Sequence, residues 1–146
     1  MNQPKATVIL ALIAAGFIFS FAGNLTAQTK SKNPIHQLRM YEIPRENRQV
    51  FNERFRDHAI RIMKKYGFKI VAIWESETEQ KVEFVYILEW KDKQTMEESW
   101  KKFMADEEWK EIKKRTSEKY GTFVNEIQER TLILTDYSPQ KNLLKK

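Results

Sequence analysis

The sequence predicts an α+β fold, a ferredoxin-like β-α-β-β-α-(α)-β sheet with its helices on one face. Three observations predict it. Phe51, Phe55, His58, Ile62 and Tyr66 recur in steps of four, three, four and four, the stripe of an amphipathic helix. Farther on, two strand-length segments, residues 68–77 and 82–90, flank the polar tract TEQK, which reads as an antiparallel hairpin. Both segments carry apolar residues at odd and even positions, so neither offers water a clean polar face.

A leader precedes the fold. Lys5 is followed by an apolar run over residues 6–22, and polarity returns at Asn24, Thr26 and Gln28. A charged start, an apolar stretch and a small-residue end make a secretory signal peptide. Residues 1–27 are assigned to it, with cleavage after Ala27, or alternatively after Ala22. The run falls short of the roughly 20 residues of a spanning helix, so an uncleaved anchor is the lesser reading and the one route to a membrane. The expected destination is the periplasm or the outside of the cell. The chain has no cysteine, which excludes a lipid-anchored lipoprotein, disulfides and zinc–thiolate sites. Residues 28–34 form a polar leader, 35–139 one domain, and 140–146 a basic tail. Lys and Arg number 26 against 20 Asp and Glu, but the two signs interleave, as in EEWKEIKKRTSEK. That is a solvated mixed surface and not a nucleic-acid footprint.

The elements come in order along the chain. IHQLRMYEI at residues 35–43 alternates as a strand and Pro44 closes it. A helix spans residues 46–66; Val50, Ala59 and Met63 widen its stripe, and Gly67 stops it. In the second strand Phe68, Ile70, Ala72 and Trp74 are taken to face the helices, with Val71 and Ile73 on the other side. In the third, Val82, Phe84, Tyr86, Leu88 and Trp90 oppose a set centred on Val85 and Ile87. Thr95 and Glu98 make a capping box for a helix running to Met104. Asp106 caps another at residues 107–119, carrying Trp109 and Ile112. Gly121 ends that helix, and residues 122–135 form a fourth strand.

Helices cover only one face of such a sheet. Val71, Ile73, Val85 and Ile87 would leave an apolar patch on the other, which is an association surface. A second copy, sheet against sheet, is the economical cover, because two-fold dimers are the commonest closed assembly.

Several short motifs, weak singly but specific in order and spacing, point to a family. They are Leu38-Arg39-Met40-Tyr41, His58-Ala59, Tyr66-Gly67-Phe68-Lys69 with Trp74, and EFVYILEWKDK. Ala105-Asp106-Glu107-Glu108-Trp109 and Tyr137-Ser138-Pro139 complete the set. Over residues 35–139 the chain resembles the NIPSNAP family of the dimeric α+β-barrel superfamily. Glu107 stands where the family usually has proline. The resemblance implies two sheets closing into a barrel across a homodimer. It implies no particular reaction.

Candidate chemistry is sparse. His58 reads either as a general base or haem ligand, or as a hydrogen-bonded histidine in the helix–sheet packing, the reading preferred. His36 and His58 have no carboxylates at ligand spacing, so no metal site is expected. With Leu38 and Met40 under the helices, Arg39 and Tyr41 would line the barrel, holding an anionic ligand or forming a structural salt bridge. Trp74 is a further ligand-binding candidate. Hydrolase and nucleotide motifs are absent, and only four glycines are present. The expected protein is an exported, non-catalytic homodimer without cofactor that binds a small apolar or anionic ligand. The alternative is a cofactor-independent monooxygenase or haem-linked enzyme.

Overall fold

The computed structural model describes residues 34–144. The signal-peptide reading falls outside them. Strands β1 (Ile35–Ile43), β2 (Lys69–Glu77), β3 (Val82–Trp90) and β4 (Glu126–Ile133) form one antiparallel sheet in the order β2-β3-β1-β4. This is the ferredoxin-like order that the sequence predicts. Between β1 and β2 run a 3-10 turn (Arg45–Asn47), α1 (Arg48–Arg54), a π turn (Phe55–Ala59) and α2 (Ile60–Lys65). Between β3 and β4 run α3 (Lys93–Ala105) and α4 (Glu107–Tyr120). No helix among the described residues is long and apolar enough to cross a membrane.

The core lies between the helices and one face of the sheet. Val82, Phe84, Tyr86, Leu88 and Trp90 are all buried, every second residue of β3. Most of them pack with Phe51, Phe55, Ile62, Met63, Phe103 and Trp109 from the helices. Rings dominate: Phe84 sits 4.6 Å from Phe55 and 5.0 Å from Phe51 between centroids, the offset and edge contacts aromatic quadrupoles favour.

The structure corrects three sequence readings, two of them through the strand register. In β1, Gln37, Arg39 and Tyr41 stand opposite Leu88, Tyr86 and Phe84, so they face the helices; Leu38 and Met40 face the open side. Arg39 and Tyr41 therefore do not line a barrel interior. In β2, both Val71 and Ala72 stand opposite Ile87, a β-bulge that inserts one residue. Because the side-chain period is two, one inserted residue exchanges the faces beyond it. Ile73, Glu75 and Glu77 turn to the helix side, where both glutamates accept from Arg48 of α1. Trp74 turns to the open side and is 49% exposed. The third correction concerns His58. It lies in the π turn and is exposed, while Ala59 takes the buried place at 1%. A π turn holds more residues than an α turn, so the stripe passes from Phe55 to Ala59 and skips His58.

Caps explain the remaining boundaries. Asp92, not Thr95, is the N-cap of α3: its Oδ1 accepts from the backbone N–H of Thr95 at 2.8 Å and from the Thr95 hydroxyl at 2.7 Å. Asp106 caps α4 as expected, accepting from Trp109 N–H at 2.9 Å. Gly67 takes φ +78°, and Phe68 N–H returns to the Met63 carbonyl at 3.2 Å, closing α2 in a left-handed turn that side chains resist.

Candidate functional site

Two features of the described residues stand on either side of the sheet: a polar cluster buried among the aromatic rings, and the uncovered face.

The cluster begins with the helix-facing set of β1. Arg39 Nη2 donates to the Tyr41 hydroxyl at 2.9 Å, which lies 3.1 Å from the Tyr86 hydroxyl. Arg39 Nη1 pairs with Glu129 of β4. The guanidinium stacks on Trp100 of α3, 4.6 Å from the ring centroid, a cation–π contact. Gln37 joins the two sides: its Oε1 accepts from the indoles of Trp90 at 3.2 Å and Trp100 at 2.7 Å, and its Nε2 donates to Glu129 at 3.3 Å. The Arg39 Nε is buried with no acceptor among the described residues.

Electrostatics reflect the burial. Desolvation pulls the Arg39 pKa down, but Tyr41, Tyr86 and Glu129 together carry it above the ordinary value. Burial, then Tyr41, pushes the Tyr86 phenol well above its ordinary value. Arg39 is thus a permanent cation and Tyr86 a permanent phenol at neutral pH. Beside them a cavity of about 40 Å³ opens between sheet and helices, lined by Tyr41, Tyr86, Phe55, Arg54, Trp100 and Trp109 among others. It has room for a few water molecules.

On the uncovered face the register sets out four rows. Lys69, Glu89, His36 and Leu132 make one end. Next come Val71 and Ala72, Ile87, Leu38 and Arg130, and then Trp74, Val85, Met40 and Gln128. Ser76, Glu83, Glu42 and Glu126 make the other end. The two middle rows are apolar apart from their β4 members, Arg130 and Gln128. One end carries three carboxylates, of which Glu83 pairs with Lys81; the other carries Lys69 beside Glu89, with Arg130 in the next row.

The sequence-predicted residues divide between these features. Arg39 and Tyr41 come together, but in the core. Trp74, Val71, Val85 and Ile87 share the open face, which Ile73 leaves. His58 joins neither; it lines a groove between α1 and α4. Among the described residues no group of three or more His, Asp or Glu could hold a metal. Gln37, Tyr86, Trp100 and Glu129 are members of the cluster that the sequence does not mark as site residues. One signal was available for Gln37: it shares its phase with Ile35 and Ile43, whose ends bound a helix-facing set.

A family model described as NIPSNAP matches residues 36–139. Solved structures of similar fold include three from two bacteria. A NIPSNAP-like domain protein from Burkholderia xenovorans aligns with a TM-score of 0.64 at 16% identity, covering 79% of this chain and 97% of that one. A NIPSNAP family protein of unknown function from Agrobacterium tumefaciens gives 0.63 at 18%, covering 75% and 95%. Another from Agrobacterium tumefaciens gives 0.64 at 19%, covering 73% and 98%. No curated protein matches the chain.

Proposed function

The chain belongs to the NIPSNAP family, and from that premise we propose that it works as an exported homodimer that binds a small ligand and catalyses no reaction. One observation carries the assembly. The open face holds two adjacent apolar rows, from Val71 and Trp74 across Val85 and Ile87 to Leu38 and Met40, with charged rows at both ends. A patch of this kind is costly in water and is covered in working assemblies. Its ends complement each other in part: a two-fold axis through the middle sets Glu42 and Glu126 of one copy toward Lys69 and Arg130 of the other, while Glu83 keeps its pair with Lys81.

The polar cluster supports ligand binding on the other side of the sheet. Tyr41 and Tyr86, backed by Arg39, border a small cavity among aromatic walls that also meets Arg54, and can orient a small polar or anionic group there. The histidines argue for binding over catalysis. His58 lies on an outer groove and His36 on the opposite sheet face, so neither stands by Arg39 and Tyr41 to move a proton. In this assembly the open face is the interface, and the ligand site lies on the helix side of the sheet.

Sedimentation equilibrium of the protein without its leader, at micromolar concentration, tests the assembly, and a dimer is the expected result. Monomers throughout would remove its basis. Fractionation of the source cells tests export, with the protein expected outside the inner membrane.

A further inference from the structure

We propose that the groove between α1 and α4 is the binding site for a small organic carboxylate with an apolar body, its carboxylate held by Arg54. This rests on the reading of the protein as a ligand-binding one, names the ligand's chemistry, and seats it on the outer side of Arg54, which also meets the cavity beside Tyr41 and Tyr86.

Arg54 ends α1, where the π turn begins. It lines both the groove and the cavity under the sheet, so it stands between the outer surface and the aromatic core. Its guanidinium lies 3.8 Å from the Phe123 ring centroid and near Phe51 and Trp109. Its hydrogen bond goes from Nη1 to the Thr116 hydroxyl at 3.0 Å. Among the described residues no carboxylate pairs with it. The acids that share the groove are engaged elsewhere: Asp57 holds Arg56, and Glu53 accepts from Gln49. A half-buried cation without a counter-ion is an expensive arrangement, and an incoming anion relieves it. The rest of the planar fork remains for bidentate recognition, which suits a carboxylate.

The surroundings agree. Burial brings the Arg54 pKa down to about 10, and Lys113 of α4 is lowered by burial and by repulsion from Arg54. Arg54, Arg115 and Lys119 line the groove against Glu53 and Asp57, so basic side chains outnumber acidic ones on its walls. Lys119 stands at the rim over the Tyr120 ring. Val50, Ile112 and Tyr120 give the groove an apolar wall, and its volume of about 420 Å³ is that of an ordinary small-molecule pocket. The π turn has a use in this setting. Turns of this kind occur often at functional sites, and this one places Arg54, Asp57 and His58 together on the groove.

Octanoate and octan-1-ol share a chain and differ in charge, so they serve as probes in ligand-observed NMR titrations of the protein without its leader. Octanoate is expected to bind, with octanol weaker. Arg54→Met keeps an apolar side chain against Phe123 and is expected to weaken octanoate by about tenfold or more while leaving octanol unchanged. Arg54→Lys, which retains charge and loses the fork, should fall between. Thermal melts of both variants guard against simple unfolding. Lys119→Ser, on the exposed rim, gives a smaller loss in a protein of unaltered stability. Equal binding of the two probes, or octanoate binding unaffected by Arg54→Met, would overturn the carboxylate assignment and leave ligand binding standing. Binding of neither probe would overturn the groove as a ligand site.

Discussion

Gln37 shows why a polar residue can sit at the centre of a fold. Its single carbonyl oxygen accepts from two tryptophans, and its amide reaches Glu129. Buried donors cost most when their acceptor is removed and nothing replaces it. Gln37→Leu strands both indole N–H groups and is expected to cost about 2–3 kcal/mol, read from urea unfolding. His58 gives the opposite expectation. Being exposed in the π turn, it should tolerate replacement by alanine within about 0.5 kcal/mol. A large loss of stability would restore the packing role that its spacing suggests. These two residues mark where single-sequence reading works at this scale and where it fails. Residue type showed that His58, Arg39 and Tyr41 were worth attention. Which way β1 faces was not readable, because Leu38 with Met40 and Ile35 with Ile43 are equally apolar sets. Only the partners across the core decide between them, and Trp90 and Trp100 lie far along the chain.

Elements were legible to the extent that their boundaries carry local chemistry. β1 and β3 lie where alternation puts them, and Asp106 and Gly121 bound α4 as expected. The departures are one-residue irregularities. A β-bulge at Val71 and Ala72 shifts the phase of the residues beyond it, and a π turn at Phe55–Ala59 displaces His58 from a stripe that resumes at Ile62; neither has a sequence signature as plain as a cap. Asp106 yields a prediction at this scale. Its carboxylate accepts from Trp109 N–H and, at 2.7 Å, from the Tyr66 hydroxyl. The Trp109 N–H first, then Tyr66, hold its pKa below the ordinary 3.8. A folded pKa below the unfolded one adds stability above the unfolded value, and that stability is lost as pH falls through the folded one. Asp106→Asn keeps a capping oxygen and removes the titration. The gap in urea midpoint between wild type and Asp106→Asn is therefore expected to be open at about pH 7 and to narrow by about pH 3. An equal gap at both would mean that the carboxylate's charge contributes nothing.

At the scale of the molecule, the sequence already carried the α+β class, the antiparallel sheet and the family resemblance, because these depend on periods and order and not on which face each residue takes. The apolar second face was legible too, although one of its members belongs elsewhere: Ile73 lies on the helix side, and Ala72 and Trp74 replace it. The proposed sheet-to-sheet dimer survives that exchange. Four strands about 4.8 Å apart and some eight residues long present a face of roughly 500 Å² in projection, and more in accessible surface. A standard interface buries about 800 Å² on each partner, so the whole face, end rows included, has to be covered to approach that size. Ile87 lies in a middle row, opposite Leu38 on one side and the bulge on the other. In a monomer a lysine there would reach water at little cost. In a sheet-on-sheet dimer it would be buried without a partner, next to its symmetry mate. Ile87→Lys is thus expected to sediment as a monomer with the far-ultraviolet circular dichroism of the wild type, whereas Lys69→Ser at the rim should weaken the dimer only modestly. A dimer that withstands Ile87→Lys would place the contact elsewhere and leave the open face without its second copy.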